Sequence, residues 1–218
     1  MKAMVFLRRM LVIALDRLGV YSSVLLRRQG PLLEDGWFRS FREKKPVNSV
    51  GEPIPWLTYP ALDFLEPRIS PSLSVFEYGC GHSTLWWAAR VRQLVAVEHD
   101  SSWIAAIRSR LPDTAVVRHH ALEPAAHYVN AIVAEATFFD IVVIDGRHRN
   151  QCLHCAPQAL SPRGVIILDN SDRPQYQPGS AYLQSLGFRH VDFSGLVPVV
   201  CWKSCTSIYY RDDNVLGL

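Results

Sequence analysis

From Ser70 onward, short apolar runs alternate with stretches whose apolar residues recur every three or four positions. Runs rich in Val, Ile or Phe predict strands at Leu73 to Tyr78, Leu94 to His99, Ala115 to His119, Phe139 to Asp145 and Gly164 to Asp169. Helical spacing falls between them, near Thr84 to Arg92, Ser102 to Leu111, Ala125 to Ala136 and Gln151 to Leu160. Strands that alternate with helices predict an open parallel sheet covered on both faces. The rhythm changes at the end, where a helix near Ser180 to Leu186 precedes two closely spaced runs, Phe188 to Phe193 and Thr206 to Arg211. That pair reads as an antiparallel hairpin at the edge of the sheet. The fold class is therefore α/β, a doubly wound seven-stranded sheet, mostly parallel.

The first 69 residues follow other patterns. Met4, Leu7, Leu11, Ala14, Leu18, Tyr21 and Leu25 fall along one side of a helix, with Arg9, Asp16 and Arg27 nearly opposite. Residues 1–28 thus predict an amphipathic helix, weakened at Gly19. Its seam packs on the chain's own domain, on a membrane surface or on a second copy. Residues 29–69 are rich in Gly, Pro and aromatics, and Pro53, Pro55 and Pro60 forbid a continuous helix. They predict an ordered wrap that presents Trp56 and Tyr59, to a ligand or to the core, with a short helix from about Ala61 to Pro67. Residues 70–218 form the principal domain.

Composition narrows the classes. With 49% hydrophobic residues and 11% aromatic, the 218-residue chain has ample surface to bury. A net charge of +3 argues against a dedicated nucleic-acid binder. Charge is uneven, because residues 1–45 hold ten Lys or Arg against four acids, leaving −3 for the rest. The longest early apolar run, Met10 to Leu15, is too short to span a bilayer. Five cysteines, an odd number in a chain large enough to fold without crosslinks, suit reduced thiols and a cytoplasmic protein, peripheral at the inner face of a membrane if the basic helix binds one. Cys152 and Cys155 with Cys201 and Cys205 offer a remote zinc pattern, set against simple burial.

In open α/β sheets ligands bind at the carboxyl ends of the strands, beside the point where strand order reverses. The first strand ends in VFEYGCGHST, where Gly79 and Gly81 allow close backbone approach and Ser83 and Thr84 open the next helix. Glu98, at the end of the second strand, suits the two hydroxyls of a ribose. A dinucleotide-binding turn calls for Gly where this chain has Thr84, so a pyrophosphate is disfavoured. Glu77 repels phosphate and suits a ligand carrying sulfonium and ammonium charges.

On these residues the stretch from Val75 to Arg211 resembles the Rossmann-like class I S-adenosylmethionine-dependent methyltransferases. The likeness comprises the E-x-G-x-G turn, the acid at Glu98, the strand end FDIVVIDG and the terminal antiparallel pair. It implies that Glu77, Gly79, Gly81 and Ser83 hold the methionine part of S-adenosylmethionine and that Glu98 holds the ribose. Asp145 borders the cofactor, and His120 to Leu122 lie beside the adenine. Ser83 stands where the family often has a third Gly.

Two further strand ends read IDGRHR and ILDNSDR. Asp145, Asp169 and Asn170 there are hard oxygen ligands suited to Mg²⁺. They resemble the metal ligands of cation-dependent O-methyltransferases of the catechol and macrocin types. In catechol-type enzymes the general base lies three residues after the first acid, which here is His148. A divalent ion would lower the cost of the developing alkoxide, and an imidazole accepts its proton near neutrality. The plain alternative is that these acids cap helices or touch the cofactor. Arg147, Arg149 and Arg173 near the same rim suit an acidic or phosphorylated acceptor. Together with GWF at Gly36, PIPWLTYP and TSIYYR, the motifs resemble a bacterial methyltransferase group linked to surface glycan assembly. The reading is O-methylation of a saccharide or small polar hydroxyl compound. The alternatives are an N-methyltransferase, a nicotinamide-dependent oxidoreductase and a binding module without turnover.

Overall fold

A computed structural model describes residues 2–218; Met1, the first residue of the predicted 1–28 helix, and the side chains of Lys2, Ala3 and Arg8 lie outside the described residues. The early helix breaks where Gly19 adopts a φ of 68°, giving α1 (Lys2–Arg17) and α2 (Tyr21–Leu26). Met4, Leu7, Leu11 and Leu18, the seam expected to pack, are exposed, so packing on the chain's own domain is not what forms. The wrap holds two short helices the sequence pattern does not mark, α3 (Pro31–Glu34) and α4 (Trp37–Glu43), and then α5 (Tyr59–Leu65). Pro60 falls in the first turn of α5, where a missing N–H costs nothing, so the helix starts earlier than predicted.

The sheet has the order β3-β2-β1-β4-β5-β7-β6. Its parallel strands are β1 (Ser74–Tyr78), β2 (Gln93–Glu98), β3 (Ala115–His119), β4 (Phe139–Ile144) and β5 (Leu160–Asp169). The pair β6 (Arg189–Leu196) and β7 (Lys203–Tyr210) forms the expected antiparallel hairpin, but β7 lies inside, antiparallel to β5, and β6 takes the edge. Both strands outrun their predicted ends, because Gly195, Lys203 and Ser204 continue the ladder without apolar side chains.

Residues on alternate sides of the strands face different cores, which is why the central strands read as unbroken apolar runs. Phe76, Tyr78, Val142, Ile144, Ile166 and Leu168 bury one face. Against it pack α8 (Ala125–Val129), α9 (Ala131–Ala134), α10 (Arg149–Cys155) and α11 (Gln177–Ser185). Val75, Ile141, Val143, Val165 and Ile167 bury the other face under α5 and α6 (His82–Ala88). Helix α7 (Ser101–Arg108) begins after β2, where Asp100 accepts a hydrogen bond from the Ser102 amide at 2.8 Å and caps it. Strand order reverses between β1 and β4, so their carboxyl ends open side by side.

Candidate active site

A cleft of about 550 Å³ lies at those strand ends, lined by Glu77 near the end of β1 with Gly79 and Ser83 beyond it, by Glu98 at the end of β2 with His99, and by Asp145 after β4. Asp169 at the end of β5 and Asn170 after it line it too. Gly79 has a φ of 107°, which favours glycine, and an added Cβ would touch the Gly146 amide at 3.4 Å. Gly81 is extended, and its amide donates to Thr84 Oγ1 at 2.9 Å. That hydroxyl in turn donates to Glu77 Oε2 at 2.6 Å. Thr84, the residue that breaks a dinucleotide pattern, is therefore the strut that holds the turn to the strand.

Glu77 is buried, and burial pushes its carboxyl up to about 8, opposed by the hydroxyls of Ser83 and Thr84. The fixed negative charge expected there is thus largely titrated away near neutrality until a cation arrives. Glu98 is held differently. Its Oε1 accepts from the amides of His99 and Asp100 at 2.7 and 2.9 Å, and its Oε2 accepts from the Cys80 amide at 3.0 Å. His99 Nδ1 lies 2.6 Å from Oε1. Oε2 keeps a lone pair for a ligand hydroxyl, as a ribose requires.

The predicted metal ligands assemble around a cation that the protein supplies. Arg149 is buried, and its Nη2 donates to Asp145 Oδ1 at 2.9 Å while its Nη1 lies 3.8 Å from Asp169 Oδ2. The same guanidinium donates to the backbone oxygens of Gly146, Asp145 and Asp169. Asp169 Oδ1 accepts from Thr206, and Asn170 Nδ2 donates to Ser204 Oγ at 3.1 Å. Burial raises both carboxyls, Asp169 the more, and Arg149 opposes the rise. With a guanidinium already between the two acids, this donor set does not fit Mg²⁺. Among the described residues no group of three or more His, Cys, Asp or Glu side chains is placed to hold a metal, which also removes the zinc pattern. Cys152 and Cys155 are simply buried in the core.

Two more expectations change. His148, the predicted base, adopts a φ of 50° and turns its ring onto Tyr128, with centroids 6.3 Å apart. Its Nε2 is buried without a hydrogen-bond partner, and the residue does not line the cleft. His120 does not line it either; its amide only continues the sheet to Glu98 O at 2.9 Å. Of the two wrap aromatics, Trp56 lines the cleft and Tyr59 is buried in the core.

Sequence reasoning missed Trp103 and Trp202, which border the cleft with Trp56 and are 52%, 64% and 40% exposed. It also missed Lys203 and Asp172 on the rim. Arg147, Arg173 and Lys203 line the cleft, and among the described residues none of them forms an ion pair. The Asp145–Arg149 pair spans the turn between β4 and α10, where no helical spacing announces it.

Comparisons with known proteins agree with this geometry. Residues 76–171, a little under half of the chain, match the family model described as a methyltransferase domain. An O-methyltransferase from Bacillus cereus, solved with S-adenosylhomocysteine, superposes with a TM-score of 0.55 at 19% identity, covering 88% of this chain and 96% of that one. The O-methyltransferase TomG from Streptomyces achromogenes, involved in tomaymycin synthesis and solved with S-adenosylmethionine, gives 0.54 at 18% identity, covering 88% and 94%. A precorrin-6y C5,15-methyltransferase from Geobacter metallireducens gives 0.55 at 12% identity, covering 70% and 87%. At these identities the likeness shows the fold. No curated sequence shows a significant match. The ends of β1, β2, β4 and β5 that form the cleft thus fall within residues 76–171, the stretch that matches the methyltransferase domain model.

Proposed function

We propose that the protein transfers a methyl group from S-adenosylmethionine to a hydroxyl of a saccharide or another small polar acceptor that carries an anionic group, without a divalent ion. The observation that supports this most is the shared cleft, lined by Glu77, Ser83 and Glu98 together with Asp145 and a cationic rim. Glu77 and Ser83 would hold the amino-acid part of the cofactor and Glu98 its ribose, with His99 and Trp103 beside the base. The bound cofactor supplies an electrophilic methyl group on sulfur.

The chain's own residues do the rest. Trp56 and Trp202 offer flat apolar faces for a sugar ring. Arg147, Arg173 and Lys203 recognise negative charge on the acceptor. Asp145 is the one acid of the Arg149 clamp with an appreciably exposed side chain, 26%, and it accepts the hydroxyl proton as the oxygen–carbon bond forms and the carbon–sulfur bond breaks. Arg149 keeps that carboxylate aimed into the cleft, so positioning and orientation replace Lewis acidity.

The test is transfer of labelled methyl to matched neutral and anionic saccharides, with and without EDTA. Transfer that favours the anionic member, survives EDTA and persists in His148→Ala is the expected result. Loss of transfer on chelation, restored by Mg²⁺, contradicts the metal-free reading.

A further inference from the structure

Among the described residues, the apolar seam that runs along α1 to Leu18 is left uncovered. Met4, Leu7, Leu11 and Leu18 are between 59 and 73% exposed, whereas the methyltransferase domain exposes large apolar residues only at scattered positions. A continuous apolar surface of this kind marks an interaction site. The helix has 16 residues, about 24 Å at 1.5 Å per residue, which is shorter than the roughly 30 Å of bilayer hydrocarbon. No described helix is long and apolar enough to cross a membrane.

Charge identifies what covers it. Arg9, Arg17, Arg27 and Arg28 are exposed, Asp16 is the only acid before Glu34, and residues 1–45 carry a surplus of +6. Among the described residues none of these four arginines forms an ion pair. Two copies of so basic a segment would repel, whereas an anionic lipid surface complements it. Arg9 and Asp16 lie opposite the Met4, Leu7, Leu11, Leu18 line, the arrangement of a helix lying in the plane of the interface.

We infer that α1 is a peripheral membrane anchor: its apolar side sinks into the acyl boundary of an anionic bilayer while its arginines meet the headgroups. The wrap that follows the anchor reaches the site. Trp37 in α4 donates its Nε1 hydrogen to Val200 O at 2.8 Å, and Val200 and Trp202 of that loop line the cleft.

Co-sedimentation of the full chain with vesicles of phosphatidylcholine, alone or mixed with phosphatidylglycerol, tests the inference. Partition into the mixed vesicles is expected to exceed that into neutral ones by about tenfold or more and to weaken with salt. A Leu7→Glu, Leu11→Glu double variant, whose changes touch no core residue, is expected to lose that binding and keep its melting temperature. Binding to neither vesicle, equal binding to both, or undiminished binding by the variant would overturn it. So would a stable dimer in light scattering that the double variant abolishes, since the face would then belong to a second copy.

Discussion

At the scale of single residues, burial decides how Glu77 acts. Its carboxyl titrates near 8 in the folded chain against an ordinary 4.5, so the folded state holds a proton that the unfolded state has released. The stability this group contributes is full below about pH 4.5 and is lost as pH rises through about 8, at about 1.4 kcal/mol per unit of elevation. Glu77→Gln is therefore expected to flatten the fall in melting temperature between pH 5 and pH 8 found in the parent protein. It is also expected to remove any gain in affinity for cationic S-adenosylmethionine as pH rises through that range, which calorimetry would measure. Arg149 is the second deciding residue. Arg149→Ala leaves Asp145 and Asp169 facing each other without compensation, and a loss of about 3 to 5 kcal/mol in urea unfolding is expected, shrinking at acid pH where both are protonated. The positions of Glu77, Gly79, Glu98, Asp145 and Asp169 at one cleft were legible because each lies at or just past the end of an apolar strand, and that of Ser83 because it opens the helix after the Gly79 turn. The roles of His148 and Arg149 were not, because they depend on which way a side chain turns from a left-handed or helical backbone, and that of His120 was not, because it lies beyond β3 and outside the cleft.

At the scale of elements, the turn after β4 shows how two strand ends are locked together. The Asp145 amide donates to Tyr78 O at 3.1 Å, and Gly146 lies so close to β1 that an added Cβ would come 3.0 Å from the Gly79 amide. It would come 2.0 Å from the buried Tyr128 hydroxyl as well. Gly146→Ala must push the Gly79 turn or Tyr128 aside, so a loss of about 1 to 3 kcal/mol with weakened cofactor binding is expected from paired unfolding and titration measurements. The strands were legible from apolar runs and the helices from their spacing. What escaped was short or irregular: α3 and α4 are too brief for periodicity to emerge, and the predicted helix from Ala125 to Ala136 divides at Asn130. Leu160, expected to end a helix, instead pairs with Phe139 across a register shift at the start of β5.

At the scale of the whole molecule, a basic, apolar N-terminal segment stands apart from a domain with a net charge of −3 outside residues 1–45. Fold class followed from the order of elements alone, since alternating strands and helices admit few arrangements. The fate of the N-terminal helix did not follow, because amphipathic spacing says that a face must be covered and not by what. The central claim is that the strand-end cleft binds an S-adenosyl compound through Glu98. Titration calorimetry with S-adenosylhomocysteine, on the parent protein and on Glu98→Ala, tests it most directly. Saturable binding at one site per chain, weakened about tenfold or more by the substitution, is the predicted result, as expected for losing a hydrogen-bonded charged acceptor. An absence of heat in the parent protein, or equal affinity in the two, would contradict it.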